Sequence, residues 1–323
     1  MNITDYEKLV NLFEKKIKNP KIVEILQEIE IGYNSIVYLI SVNGKQYAVK
    51  MYNERYNGIE VCLKERNHIR KARKYIPDAV PKTLFFSKHI DNEFNREILV
   101  LETVKGVHPN KKVFNEQVFW ELINVLKRLH SSEENNRSET DELERINNCS
   151  KIVLQFLNED ETIAQERVSD HFDALRSYYL EKKKIFNFRK TIVHGDLWWD
   201  NILVDNGKIR IIDWLESSEQ DYCRDLAQLK IGTLNKVLDM QKSQYFFEKI
   251  LDAYKKEFED ETIFERIRYY LPLMYLEESF YLPFKFFPWE IKYKEDAENF
   301  KKRFINYFEK SEWFFKYEQE NYL

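Results

Sequence analysis

The chain has 323 residues, 43% of them apolar, with 51 basic against 55 acidic side chains and a formal charge of -4. That is enough apolar surface for a substantial core, while the even charge balance and lack of basic blocks exclude a nucleic-acid footprint and an anionic-membrane partner. No apolar run reaches the roughly 18 residues of a membrane span, and MNITDYEKLV has neither the basic flank nor the apolar stretch of a signal peptide, so a cytoplasmic protein is expected. Cys62, Cys149 and Cys223 are scattered, with no C-x-x-C pair, and read as reduced thiols rather than as a disulfide or zinc framework.

In chain order, Tyr6, Leu9, Val10, Phe13 and Ile17 recur at helical spacing over 4–18. Segments 24–30, 36–42 and 46–51 are short and rich in β-branched and aromatic residues, and Asn43-Gly44 predicts a hairpin between the last two. Helical period returns from Gly58 to about Tyr75, and 82–88 and 96–103 predict two more strands. Beyond Gly106 the pattern is helical, from 114–130 to a last segment near 295–318. Two exceptions interrupt it. The polar stretch 131–148 reads as a solvated loop with a short helix, and 202–213, turning at Asn206-Gly207, reads as a second hairpin.

Residues 194–201 read HGDLWWDN, and Ile212-Asp213-Trp214 closes the second hairpin twelve residues after Asn201. The turn at Asn206-Gly207 brings Asp213 back beside Asp196 and Asn201, so three oxygen-bearing side chains converge. Phosphoryl transfer calls for this set: an Asp to orient the attacking hydroxyl and take its proton, and Asn and Asp oxygens to hold Mg²⁺ against the nucleotide phosphates. In the N-terminal region, Ile31-Gly32-Tyr33-Asn34-Ser35 joins the first two strands where backbone amides could cover phosphates. Lys50 lies mid-strand on the face opposite Tyr47 and Val49. Glu65 falls on the apolar stripe Cys62, Glu65, Ile69, Ala72, Ile76, where a carboxylate needs a cation; a nucleotide-kinase arrangement, with a strand lysine positioned by an anion, would supply Lys50.

The HGDxxxxN and IDW signatures resemble those of the aminoglycoside phosphotransferase and choline kinase group of small-molecule kinases. The resemblance implies an α+β, bilobal protein-kinase-like fold, with a small antiparallel-sheet N-lobe (1–103), a hinge (104–106) and a larger, mostly helical C-lobe (107–323). It implies Asp196 as catalytic base, His194 as a brace for its loop, and Asn201 and Asp213 as Mg²⁺ ligands. Gly32, Asn34, Ser35, Lys50 and Glu65 would serve the phosphates, and the Glu102 carbonyl and Val104 amide the adenine. ATP is the expected donor, with GTP left open.

Protein kinases follow Mg²⁺-binding Asp with an activation loop and Ala-Pro-Glu; here Asp213 runs into WLESSEQDYCRDLAQL, so a small hydroxylated acceptor is expected instead. Trp198 and Trp199, just beyond the base, are candidates for its mouth, and Glu277 and Glu278 for a cationic one such as an aminoglycoside. From 262 to 323, 20 of 62 residues are aromatic, a composition that suits sugar rings or quaternary ammonium but reads first as helix packing. A catalytically inactive scaffold of the same fold is the alternative, and the presence of Lys50, Asp196, Asn201 and Asp213 together argues against it.

Overall fold

The computed structural model describes residues 3–17, 23–31, 35–52, 58–132, 142–157, 165–187, 189–286 and 294–321. They form an α+β fold, sheet-rich towards the N-terminus and helical towards the C-terminus. Two compact units make it up, Met1–Ser132 with His194–Ser218, and Glu133–Val193 with Glu219–Leu323.

In the first unit α1 (Ile3–Lys16) precedes β1 (Val23–Ile31), β2 (Ser35–Val42) and β3 (Lys45–Tyr52); α2 (Gly58–Ala72), β4 (Thr83–Ser87) and β5 (Ile98–Glu102) follow. The strands form one sheet in the order β1-β2-β3-β5-β4, with antiparallel neighbours, so β3 is central. Asn43 (φ 52°) and Gly44 (φ 73°) both take the positive φ that a two-residue hairpin matching strand twist requires. Alternation along β3 then assigns the faces. Tyr47, Val49 and Met51 join Leu9, Leu12 and Phe13 of α1 in one buried cluster, where each large side chain contributes about 2 kcal/mol by leaving water. Lys50 and Tyr52 face the other way, towards α2.

After β5 the chain passes residues 104–106 and pairs Val107 with Val204. Gly106 takes φ 141° where a Cβ would lie 3.0 Å from the Val204 carbonyl oxygen, so both its backbone angle and its closeness favour glycine. Asn115 caps α3 (Glu116–His130) by accepting from the Val118 N–H at 3.0 Å. The later segment of this unit holds the hairpin of β7 (Ile202–Asp205) and β8 (Lys208–Ile211), turned at Asn206 (φ 49°) and Gly207 (φ 80°). The Ile211 N–H donates to the Ala79 carbonyl at 2.8 Å, which fixes the hairpin against the chain leaving α2.

The second unit carries α4 (Glu142–Leu157), α5 (Gln165–Glu181), the short strand β6 (Thr191–Val193), α6 (Cys223–Leu229), α7 (Asn235–Val237), α8 (Met240–Phe258), α9 (Ile263–Phe286) and α10 (Lys294–Asn321). A π-helical turn, Lys230–Leu234, joins α6 to α7, and a last strand, β9 (Ser218–Gln220), spans the boundary between the units. Along α9 Ile267, Tyr269, Tyr270, Leu271, Leu273, Met274, Tyr275 and Leu276 are all buried, a pattern on every side that marks a central helix. These rings, with Phe304, Phe308 and Phe315 of α10, pack as core. All three cysteines are free and buried.

Of the stretch 131–148, residues 133–141 lie outside the described residues. The helix expected within it is longer and less solvated than expected: 142–148 open α4, which runs on to Leu157, because Ile146, Cys149 and Val153 recur at helical spacing and are buried. Its polar residues find partners inside: Glu142 accepts from the Tyr269 and Tyr270 hydroxyls, and Arg145 pairs with Glu277.

Candidate active site

Helical spacing on α2 puts Cys62, Glu65, Ile69 and Ala72, with Ile76 just beyond the helix, on one buried line, each at most 1% exposed. Glu65 there meets the central strand. Lys50 Nζ lies 2.8 Å from Glu65 Oε2 and 2.7 Å from Asp213 Oδ1, so one ammonium joins two carboxylates. The Tyr52 hydroxyl, two residues along the same face of β3, donates to Glu65 Oε2 at 2.5 Å. Three residue types that would each be costly to bury alone are thus mutually satisfied.

The loop after β6 is held by its own side chains. His194 is fully buried; its Nε2–H donates to the Ile212 carbonyl at 3.0 Å, and its Nδ1 accepts the Asp196 N–H at 3.2 Å. Both ring nitrogens are therefore engaged in structure, which makes His194 a brace for the loop rather than a base. Gly195 takes φ 78°, and a Cβ there would come within 3.0 Å of the Glu216 carbonyl carbon, so the passing backbone at 216 leaves room for glycine alone. Asn201 closes the loop. Its Nδ2 donates to the Asp196 backbone oxygen at 2.9 Å and to Asp196 Oδ2 at 2.8 Å, while its own carbonyl accepts from the Ile212 N–H at 2.9 Å.

The Asn201–Ile212 bond places Asp213 next to this clamp. Asp213 is a non-glycine residue at φ 59°, a left-handed conformation that costs about 1–2 kcal/mol and persists only when its surroundings hold it. Lys50 holds the carboxylate. Trp214, fully buried, holds the chain that follows: its indole Nε1–H donates to the Ile211 carbonyl at 2.9 Å and its ring meets the His194 ring edge-on at 4.6 Å.

Electrostatics separates the carboxylates. Burial raises the Asp196 carboxyl to about 7, helped by the negative charges of Asp213, Asp200 and Glu216 and opposed by the Asn201 hydrogen bond. Burial acts on Asp213 in the same direction, but the Lys50 ammonium outweighs it and keeps that carboxyl below its ordinary value. Burial also raises Glu65, against the pull of Lys50. For Lys50 the two carboxylate charges outweigh desolvation and push its pKa up, so it stays charged.

Asn201 Oδ1 receives no donor among the described residues, and the ionised Asp213 follows Ile212, whose N–H bonds the Asn201 main-chain carbonyl; a hard divalent cation such as Mg²⁺ prefers such oxygens. Among the described residues there is no cluster of three or more His, Cys, Asp or Glu able to cage a metal. Two protein oxygens alone suit an ion that completes its shell with phosphate oxygens and water, a habit of Mg²⁺.

Of the other residues singled out from sequence, Gly32 and Asn34 lie outside the described residues. Ser35 is buried at the start of β2, paired in register with Tyr52. Glu102 ends β5 with its side chain exposed, and the Val104 N–H has no partner among the described residues. Trp198 and Trp199 are half-buried, and the Trp199 ring meets His108 edge-on at 5.5 Å. Glu277 and Glu278 belong to the second unit. Glu277 is gripped by both Nε and Nη2 of Arg145, with Arg224 3.8 Å away, and Glu278 is buried, so neither is a bare surface anion. Two residues escaped the sequence reading, Tyr52 as donor to Glu65 and His68, whose Nδ1 lies 3.0 Å from the Trp214 carbonyl. The signal was spacing alone: Tyr52 shares the strand face of Lys50, and His68 shares the helix face of Glu65.

A five-stranded antiparallel sheet with a paired lysine on its central strand, followed by a braced Asp-Asn loop and a hairpin returning a second Asp, defines a protein-kinase-like fold. The family model described as the phosphotransferase enzyme family matches residues 25–264, and the chain belongs to that family. Among solved structures it is similar to ADP-bound aminoglycoside phosphotransferase APH(2'')-Ib, with a TM-score of 0.66 and 15% identity over 96% of this chain and 99% of that one. It is also similar to the choline kinase LicA from Streptococcus pneumoniae (0.61, 19%, 97% and 99%). Aminoglycoside phosphotransferase APH(4)-Ia aligns comparably (0.62, 15%, 98% and 99%). No curated protein matches the sequence. Among the described residues no helix is long and apolar enough to cross a membrane.

Proposed function

We propose that the protein transfers the γ-phosphoryl group of ATP to a hydroxyl of a small molecule, in the class of aminoglycosides, amino sugars, choline and related metabolites. The observation that carries this reading is the single ammonium of Lys50 held between Glu65 and Asp213, beside an Asp196 carboxylate clamped by Asn201. Lys50 would bind phosphate oxygens, Glu65 fixing its reach. The unpartnered Val104 N–H is suited to an adenine edge, beside the Glu102 carbonyl. Asn201 Oδ1 and the Asp213 carboxylate would hold Mg²⁺, which supplies the charge neutralisation that the phosphates need.

Asp196 takes the acceptor's proton. Asn201 occupies Oδ2, which leaves Oδ1 to receive the hydroxyl hydrogen as the acceptor oxygen bonds to phosphorus and the bond from the γ-phosphorus to the bridging oxygen breaks. The raised carboxyl of Asp196 makes it a stronger base than an ordinary carboxylate, while the lowered one of Asp213 keeps its charge. The test is ADP release from Mg-ATP against a panel of aminoglycosides, amino sugars, choline and nucleosides, with a generic protein substrate as control. Acceptor-dependent turnover by at least one small molecule is expected. Transfer only to the protein substrate, or none to any member, would overturn the reading.

A further inference from the structure

We propose that His68 is a positioning residue that ties the backbone following Asp213 to the helix carrying Glu65, and thereby sets the protein's affinity for Mg²⁺-bound nucleotide. The inference rests on the phosphotransferase reading above. His68 follows Glu65 by three residues on α2, which puts both on one face. A carbonyl oxygen only accepts, so the contact of 3.0 Å between His68 Nδ1 and the Trp214 carbonyl is an Nδ1–H donation. Trp214 is fully buried, and its carbonyl has one other donor among the described residues, the Ser217 N–H at a longer 3.3 Å.

The bonds close a circuit. Glu65 binds Lys50, Lys50 binds Asp213, Asp213 is followed by Trp214, and Trp214 returns through His68 to the helix that bears Glu65. Asp213 sits in a left-handed conformation, so its carboxylate keeps its aim only while contacts on either side of it hold. Lys50 acts on the side chain, and when phosphate oxygens draw that ammonium, the His68 bond to the main chain is the tie from α2 that persists. Removing the imidazole donor takes away this tie to α2 without touching any group assigned to phosphate, metal or base; the indole bond to the Ile211 carbonyl and the Ser217 N–H remain.

The experiment measures binding of a non-hydrolysable ATP analogue, with and without Mg²⁺, by calorimetry in the wild type, His68→Leu and His68→Asn, together with melting temperature. Leu keeps bulk and loses the donor; the Asn amide restores a donor close to the position of Nδ1. His68→Leu is expected to weaken Mg²⁺-dependent binding about tenfold, with the Mg²⁺-free affinity within about twofold, and His68→Asn to recover most of the loss. Should the Leu protein not fold, His68→Gln, whose longer amide misplaces the donor, takes its place in the same comparison. Wild-type affinity in the Leu variant, equal losses in Leu and Asn, or equal losses with and without Mg²⁺ would each overturn the inference while leaving the phosphotransferase reading intact. A wild type that binds no Mg²⁺-nucleotide removes that reading and the inference with it.

Discussion

Lys50 and Asp213, 163 positions apart in the chain, meet at 2.7 Å. A strand in the sheet and the end of a hairpin are thereby joined through one ammonium, with Glu65 completing the pairing from α2. Lys50→Met keeps much of the stem and removes the charge, leaving one fully buried carboxylate and one partly exposed carboxylate without their cation. Breaking a buried pair in this way costs about 3 kcal/mol or more of folding stability, so the protein should melt earlier. Losing the ammonium that would bind phosphate oxygens should separately lower kcat/KM for ATP at least about 100-fold. Steady-state kinetics at varied ATP checks this; a variant within threefold of wild type would remove Lys50 from phosphate binding.

Tyr52 contributes through Glu65. Its hydroxyl donates to the carboxylate oxygen that also faces Lys50, and both partners are at most 1% exposed. Tyr52→Phe preserves the ring and deletes the donor, at an expected cost of about 1–2 kcal/mol in urea unfolding. Because the hydroxyl and the carboxylate share one bond, Tyr52→Phe and Glu65→Gln should be non-additive by about 1 kcal/mol in a double-mutant cycle. Strict additivity would show that the hydrogen bond carries no stability.

Asp196 and Asp213 should fail in different ways. Asp196→Asn retains shape but has no lone pair basic enough for the acceptor's proton, so kcat should drop by about 100-fold or more while Mg²⁺-nucleotide still binds. Asp213→Asn loses the anion that faces Lys50 and would face the metal, so nucleotide affinity should fall together with turnover. Calorimetry on both variants separates the patterns, and near-normal turnover by Asp196→Asn would falsify its assignment as base.

Sequence periodicity was enough for the strands, for α2 and for the faces that carry Lys50 and Glu65, because each depends on short-range spacing: alternation along β3, steps of three and four along α2, and the Asn-Gly turns. The pairing of those two residues followed from the kinase resemblance, and they meet at 2.8 Å. Periodicity was insufficient for the extent and burial of the helix that residues 142–148 open, whose polar side chains are stabilised by partners more than a hundred positions away on α9, as with Arg145 and Glu277. For the same reason Glu277, a candidate for a cationic acceptor by sequence, carries an arginine partner that no local spacing announces. His68 was hidden because its partner is a main-chain carbonyl, which has no side-chain identity to read. The left-handed Asp213 was hidden too, since an aspartate in that conformation is held by distant contacts and not by its own preference.

A final prediction concerns acid stability in the second unit. His171 of α5 is 5% exposed; its Nε2–H donates to Ser311 Oγ at 2.7 Å, and that hydroxyl donates onward to the Pro272 carbonyl at 2.8 Å. The rings of Phe308 and Phe315 meet the imidazole edge-on at 5.6 Å and 5.7 Å. Burial pushes its pKa down to about 4; Lys316 and Arg167 add to the shift and Glu312 opposes it. The folded state thus resists the proton that the unfolded chain accepts near 6.5. Stability from the neutral ring is complete above about pH 6.5 and is lost as pH falls from there towards 4, by about 3 kcal/mol in all. His171→Gln cannot take up that proton, so it should be the less stable protein at pH 7.5, through lost packing, yet lose less of its melting temperature between pH 6.5 and 4.5. The acid loss from the carboxylates is common to both proteins and cancels in the comparison. Parallel melting curves across that interval would show that His171 is not protonated on unfolding in acid.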